Sequence, residues 1–221
     1  MTATSLAHVV KAYDVRGTVP DQLDTRVTRA LGAAFADVVV IPEGAGACVV
    51  GHDMRDTSPE LSSAFADGAR SRGVDVTLIG LASTDGLYYA SGALDLPGAM
   101  FTASHNPAAY NGIKLCRAGA RPVGQDSGLF DIRVLAERIL DGEVPDPDVT
   151  PGDLDERAVL ADYASFLRGL VDLSGIRPLR VVVDAGNGMG GFTVPAVLEA
   201  GAGAPPPALT SGPLLFDLQE P

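Results

Sequence analysis

The segment MFTASHNPAAYNGIKLC, residues 100–116, sets Ser104, His105, Asn106 and Pro107 in a row between two apolar runs. Pro107 biases Asn106 away from helical geometry, and Gly112 lets the chain re-enter an extended path. Ser104 therefore sits on a constrained turn with its hydroxyl free to project, which suits a nucleophile or a phosphoryl carrier. The plainer alternative is a polar turn, where Ser, Asn and Pro abound for conformational reasons. A Ser-His-Asp hydrolase needs a base other than the adjacent His105, and only His8 and His52 remain.

Two further polar loops flank apolar runs. KAYDVRG, residues 11–17, gathers Lys11, Tyr13, Asp14 and Arg16, and GHDMRDTSP, residues 51–59, carries Arg55 directly after a β-branched run. Arg16, Arg55 and Lys114 are then cations in loops or at strand ends, the arrangement that holds a phosphorylated ligand. Any one of them alone reads as a solvated surface charge. The chain as a whole has a formal charge of −12, which argues against a general nucleic-acid or membrane-surface binder, whose footprint is a basic excess.

The elements that must position these loops alternate. TRVTRALGAAFADVVV has helical periodicity, ACVVG is a short strand, and SPELSSAFADGARSRG is a second helix with Ser58 as N-cap, Pro59 at its first position and Gly73 to stop it. VDVTLIG, GAMFTA and GIKLC read as strands, with a short helix over TDGLYYASGAL. Such alternation predicts an α/β fold, a mixed sheet sandwiched between helices, with sites collected at strand ends. The chain is long enough to bury a full core. Cys48 and Cys116 each lie in apolar runs, without a second thiol at metal-ligand spacing, and read as buried free thiols. Neither an N-terminal leader pattern nor an apolar run of about 18 residues is present, so a cytoplasmic location is the expectation.

DGEVPDPDVTPGD, residues 141–153, reads as a linker or solvated loop. LDERAVLADYASFLRGLVDL follows as a long amphipathic helix, and LRVVVDAGNGMGGFTVPAVLEA as strand, glycine turn and helix. The expected division is a first domain over 1–145, linker and helix over 146–178, and an incomplete second α/β domain over 179–221. After about 201 the run AGAPPPALTSG carries neither helix nor central-strand signal.

KAYDVRG, GHDMRDTSP, TASHNPAAYNGIK and VVVDAGNGMGG, in this order and at these intervals, resemble the first domain and the opening of the second in the α-D-phosphohexomutases, the phosphomannomutase/phosphoglucomutase family. TASHNP followed by YNGIK is the most specific part of the match, and it covers about residues 8–200. The resemblance implies that Ser104 carries a phosphoryl group between the two ends of a hexose, through a hexose 1,6-bisphosphate that also acts as activator. It implies catalytic roles for Ser104, His105, Arg16 and Lys114, and substrate-binding roles for Tyr13, Asn106 and Arg55. His52 stands where many members have arginine and is given no role. The family's Mg²⁺ is held by a phosphoserine oxygen, here on Ser104, and by an Asp-Gly-Asp-Gly-Asp-Arg loop that this sequence lacks. Asp146 and Asp148 of DPD lie in the wrong segment to replace it.

The resemblance thus predicts the first-domain fold with negligible mutase turnover by this chain alone, phosphorylated hexose as ligand, and a tail that truncation or a frame change would explain. An incomplete second domain invites self-association or pairing with a complementary chain. Two other readings compete. A non-catalytic phosphosugar-binding fragment, or half of a split enzyme, needs only the anionic site. A dinucleotide-binding oxidoreductase would use Gly186, Gly188 and Gly191 as G-x-G-x-x-G, but the acidic residue expected about 20 positions later is missing.

Overall fold

The computed structural model describes residues 4–172, 177 and 182–198, and the chain divides into two compact units, Met1–Arg157 and Ala158–Pro221. The first unit contains β1 (Val15–Thr18), α1 (Thr25–Phe35), β2 (Ala47–His52), α2 (Ser58–Arg70), β3 (Asp75–Leu81) and α3 (Thr84–Leu94). It continues with β4 (Gly98–Phe101), β5 (Tyr110–Arg117), β6 (Arg121–Pro122), α4 (Leu129–Leu140) and β7 (Leu154–Glu156). Strand order is β1-β5-β4-β2-β3-β7, with β6 on β5. β4, β2, β3 and β7 are mutually parallel, whereas β5 pairs antiparallel with both β4 and β1. This is the mixed sheet flanked by helices that the alternation of elements predicts.

Capping side chains and glycines set the helix ends. Asp24 accepts a hydrogen bond from the Val27 amide at 2.8 Å to open α1, and Ser83 accepts from the Gly86 amide at 3.1 Å to open α3. Past Phe35, α1 widens into a π-helical turn over Ala36–Val40. α2 begins differently from expectation. Thr57 is its cap residue, and Ser58, the expected cap, lies inside the helix with its hydroxyl donating to Asp53 Oδ1 at 2.7 Å. Asp53, in the loop that leads into the helix, offers that hydroxyl a charged acceptor.

The main core lies between one face of the sheet and α1, α2 and α4. Phe35, Phe65 and Phe101 are fully buried, with Phe65 tilted against Phe35 at a centroid separation of 5.7 Å and T-shaped with Phe101 at 5.6 Å. Phe101 ends β4, so the last strand residue before the serine turn is anchored in the aromatic core. α1 and α2 approach so closely that a Cβ on Gly32 would stand 2.0 Å from the Phe65 carbonyl oxygen, and one on Gly68 2.0 Å from that of Arg29. Leu87 of α3 covers the opposite sheet face, beside Gly51 and Gly98.

The segment expected as a linker is a strap fastened to the first unit. Asp146 takes Arg29 at 2.5 Å and Ser71 at 3.2 Å, and the buried Arg72 lies 3.6 Å from Asp37 and 3.8 Å from Asp146. Arg70 donates to the Gly152 carbonyl at 2.8 Å, and Gly152 packs where a Cβ would fall 2.0 Å from the Val74 carbonyl oxygen. The strap then enters the sheet as β7, so the first unit runs to Arg157 rather than 145, and the helix expected from Leu154 begins later. The segment is irregular and mostly exposed, as its composition suggested; its fastening was not legible because the partners of these charges lie far away along the chain.

In the second unit α5 (Leu160–Leu170) is followed, after an undescribed stretch, by a turn and α6 (Gly190–Leu198). Arg168 donates to the Ala196 carbonyl at 2.7 Å and ties the two helices together. Of the strand expected over LRVVVD, only 182–184 are described, and these are irregular. The tail after Gly201 lies outside the described residues. Among the described residues no helix is long and apolar enough to cross a membrane.

Candidate active site

Two loops leave the same edge of the sheet because β2 and β4 are parallel neighbours: His52–Thr57 after β2, and Thr102–Ala109 after β4. The β4 turn is closed by the Asn106 amide on the Ala103 carbonyl at 3.1 Å and the Ser104 amide on Thr102 Oγ1 at 3.0 Å. Within it Ser104 adopts φ +54°, the left-handed region that costs an L-residue about 1–2 kcal/mol. Its side chain is exposed. The Ser104 hydroxyl lies 3.3 Å from Nδ1 of His105. An extended chain would place these neighbours on opposite faces, and the left-handed backbone at Ser104 brings them to one side. The adjacent histidine thus lies close to the hydroxyl, although a sequence neighbour is not easily placed as base for such a serine.

Register places the cations. β1 pairs Arg16 with Gly112 and Val15 with Ile113. Val15, Ile113 and Leu115 face the aromatic core, so Arg16 and Lys114 share the other face as diagonal neighbours across the β1–β5 ladder. Asp14 links them, with Oδ2 at 2.7 Å from Arg16 and 3.7 Å from Lys114 Nζ. Arg16 also donates to the Ala103 carbonyl at 3.2 Å and to Asn106 Oδ1, which fastens β1 to the serine turn. Its Nε is buried without a hydrogen-bond partner. One carboxylate shared by two cations leaves a net positive charge beside Ser104.

Arg55 approaches the same turn from the β2 loop. Its Nη1 donates to the carbonyls of Pro107 and Tyr110, both at 2.9 Å, and its Nη2 to those of Ser104 and Asn106, at 2.9 and 2.7 Å. Tyr13 stands apart, 82% exposed, with its ring beside Gly124. The structure thus gathers Ser104, His105, Asn106, Arg16, Lys114 and Arg55 around one turn, and leaves Tyr13 at the surface.

Sequence reasoning passed over Asp53, Thr57 and Asn111, which together with Ser58 build the support. Asp53 accepts the Arg55 amide and the Ser58 hydroxyl on Oδ1, at 3.1 and 2.7 Å, and faces Arg55 Nε at 3.4 Å. Asn111, fully buried in β5, donates to Thr57 Oγ1 at 2.8 Å and Ser58 Oγ at 2.9 Å. The available signal was a polar residue in an otherwise apolar strand, since a buried amide must be satisfied somewhere.

Residues 7–137 match the model of phosphoglucomutase/phosphomannomutase, alpha/beta/alpha domain I. The chain belongs to this family. A phosphomannomutase from Escherichia coli is 41% identical over 202 residues, covering 88% of this chain and 42% of that protein. A relative from Xanthomonas campestris named for phosphohexose mutases is 41% identical over 187 residues, 83% of this chain and 40% of its own length. The crystal structure of a phosphoglucomutase/phosphomannomutase family protein from Burkholderia thailandensis aligns with a TM-score of 0.72 at 35% identity, over 86% of this chain and 41% of that one. The chain thus spans about two fifths of the length of these phosphohexomutase relatives, which fits the resemblance drawn from the serine loop.

Among the described residues no cluster of three or more His, Cys, Asp or Glu side chains could hold a metal ion. Asp14 is committed to Arg16 and Lys114, and Asp146 of the DPD run to Arg29, Arg72 and Ser71. The donor set around Ser104 is a hydroxyl, an imidazole and cations, which does not fit a resident Mg²⁺, an ion that wants carboxylate and other oxygen ligands.

Proposed function

We propose that this chain carries the phosphoryl-accepting part of a phosphohexose mutase, with Ser104 as the group that takes and returns the phosphoryl. The observation that carries the reading is the exposed Ser104 hydroxyl on a left-handed turn, with His105 at 3.3 Å and with Arg16 fastened to the same turn. Phosphoryl transfer asks for an in-line oxygen and clustered positive charge more than for covalent help.

In the loading step, Ser104 Oγ attacks one phosphorus of a hexose 1,6-bisphosphate. The Oγ–P bond forms as the sugar O–P bond breaks, and the hydroxyl proton passes to His105 Nδ1. The departing sugar oxygen takes a proton from the Lys114 side, and a hexose monophosphate leaves. Arg16 and Lys114 offset the charge spread over the equatorial phosphoryl oxygens. The reverse step returns the phosphoryl to the other end of the sugar. Tyr13, exposed beside the KAYDVRG turn, is positioned to meet substrate rather than the turn itself. Mg²⁺ belongs to this proposal only through oxygens of a phosphorylated Ser104 and carboxylates that this sequence does not supply, so no step runs through it here. Turnover by the 221-residue chain alone is expected to be negligible.

The test is intact-mass and peptide mapping after incubation with glucose 1,6-bisphosphate or mannose 1,6-bisphosphate. The reading expects one phosphoryl group on Ser104 and none on a Ser104→Ala chain. Phosphorylation elsewhere, or none on a folded protein, would refute it.

A further inference from the structure

The guanidinium of Arg55 has no donor left for a ligand. Its two terminal nitrogens donate to the carbonyls of Ser104, Asn106, Pro107 and Tyr110, all between 2.7 and 2.9 Å, and its Nε faces Asp53 Oδ2 at 3.4 Å. Every N–H of the planar group is thereby directed at protein oxygen. The side chain is 13% exposed and that of Asp53 7%, so this arrangement is largely shielded from solvent. Two of the carbonyls belong to the turn that holds Ser104 at φ +54°. Left to itself a serine would leave that region for the extended or right-handed one.

We propose that Arg55 is a positioning residue for phosphoryl transfer: it gathers the carbonyls of the serine turn and holds Ser104 in the left-handed conformation that presents its hydroxyl. This rests on the reading of Ser104 as the phosphoryl acceptor, and it replaces a direct role of Arg55 in binding substrate phosphate. Asp53 is the other half of the device. It receives the Arg55 amide and the Ser58 hydroxyl, and the same Ser58 hydroxyl accepts from the buried Asn111 of β5. The arginine is thus tied to α2 and β5 before it reaches the turn, which makes the turn an extension of the rigid sheet edge. A lysine cannot reproduce this, because a point ammonium with three rotatable donors cannot face four separated carbonyls at once.

The experiment compares Arg55→Ala and Arg55→Lys with the parent chain by two readouts. Amide hydrogen exchange of residues 103–110 should accelerate by about tenfold or more in both variants, while β2 and β4 keep their protection. The rate of Ser104 phosphorylation at saturating hexose 1,6-bisphosphate should fall about 10–100-fold, with the half-saturating donor concentration within about twofold of the parent. Methylguanidinium added to Arg55→Ala should restore part of the rate, and should not do so in Arg55→Lys, where the ammonium occupies the space. A rise in half-saturating concentration at unchanged maximal rate would overturn the proposal and return Arg55 to substrate binding. Unchanged exchange in 103–110 would overturn it as well. If the parent itself accepts no phosphoryl, the reading of Ser104 fails, and the exchange measurement still decides whether Arg55 holds the turn. Should Arg55→Ala not fold, Arg55→Lys, which keeps the charge beside Asp53, carries both readouts.

Discussion

Adding one methyl group at Gly112 should uncouple the two halves of the active site. Gly112 sits opposite Arg16 in the β1–β5 ladder and accepts the Thr102 amide at 3.0 Å, two residues before Ser104. A Cβ there would stand 2.3 Å from the Val15 carbonyl oxygen and 3.0 Å from that of Thr102. Ordinary carbon–oxygen contact needs roughly 3.3 Å, so one backbone or the other must retreat by about 1 Å, and neither obstacle is a flexible side chain. Overpacking of this kind costs about 1–3 kcal/mol. The direction of retreat matters more than the energy, because Val15 carries Arg16 with it and Thr102 carries the serine turn. A displacement of about 1 Å in a reacting group can lower a rate by roughly 10²-fold. Gly112→Ala should therefore melt lower, yet fold, and load Ser104 from hexose 1,6-bisphosphate roughly 10²-fold more slowly, measured as phosphopeptide against time. Parental loading by a folded Gly112→Ala chain would refute the argument that strand spacing sets the distance between cation and acceptor.

The other expectations concern the scaffold. Gly68→Ala should separate α1 from α2, since its Cβ would lie 2.0 Å from the Arg29 carbonyl oxygen; a loss of about 1–3 kcal/mol is expected in denaturant unfolding, with Ser104 loading unchanged in the folded fraction. Asp146→Asn should loosen the strap in a pH-dependent way. Partial burial pushes the Asp146 carboxyl up, but the Arg29 hydrogen bond and charge, Ser71 and Arg72 outweigh it and hold the group below its ordinary value of 3.8. A depressed acid stabilises the fold above its unfolded pKa and loses that contribution as pH falls through the folded one. The difference between parent and Asp146→Asn should thus be present at neutral pH, no more than about 1 kcal/mol because the pair is partly exposed, begin to fade as pH falls below about 4, and be lost only once pH has passed the depressed folded value in urea titrations. Burial pushes the Cys48 thiol up to about 12, so this residue should resist thiol reagents in the native protein at pH 8 and react only on unfolding. Prompt labelling of Cys48 would contradict its burial.

What could be read directly from the sequence was what local chemistry encodes. The TASHNP turn, the KAYDVRG and GHDMRDTSP loops and the alternating elements are short-range patterns; parallel β2 and β4 bring GHDMRDTSP and TASHNP to one sheet edge, and the β1–β5 pairing brings KAYDVRG to them. What escaped depends on partners far along the chain. Ser58 looked like a cap because Asn111, whose amide it accepts, lies far away in β5, although its other partner Asp53 stands in the same loop. The strap is the exposed loop its composition suggests, but its fastening could not be read because Arg29 and Arg72, which hold Asp146, lie far earlier in the chain. The family resemblance implied a substrate-binding role for Arg55, and only the folded turn shows four carbonyls converging on it. Asp14 was visible in its loop, but its bridging of Arg16 and Lys114 required the β1–β5 register.

The central claim, that Ser104 is a phosphoryl acceptor held ready by its turn, is tested most directly on the chain isolated from the cells that make it. Its tryptic peptide containing Ser104 should carry phosphate in a substantial fraction of molecules, or take it up on addition of hexose 1,6-bisphosphate. An unmodified Ser104 that also stays unmodified in the presence of hexose 1,6-bisphosphate, in a protein shown to be folded, would contradict the account.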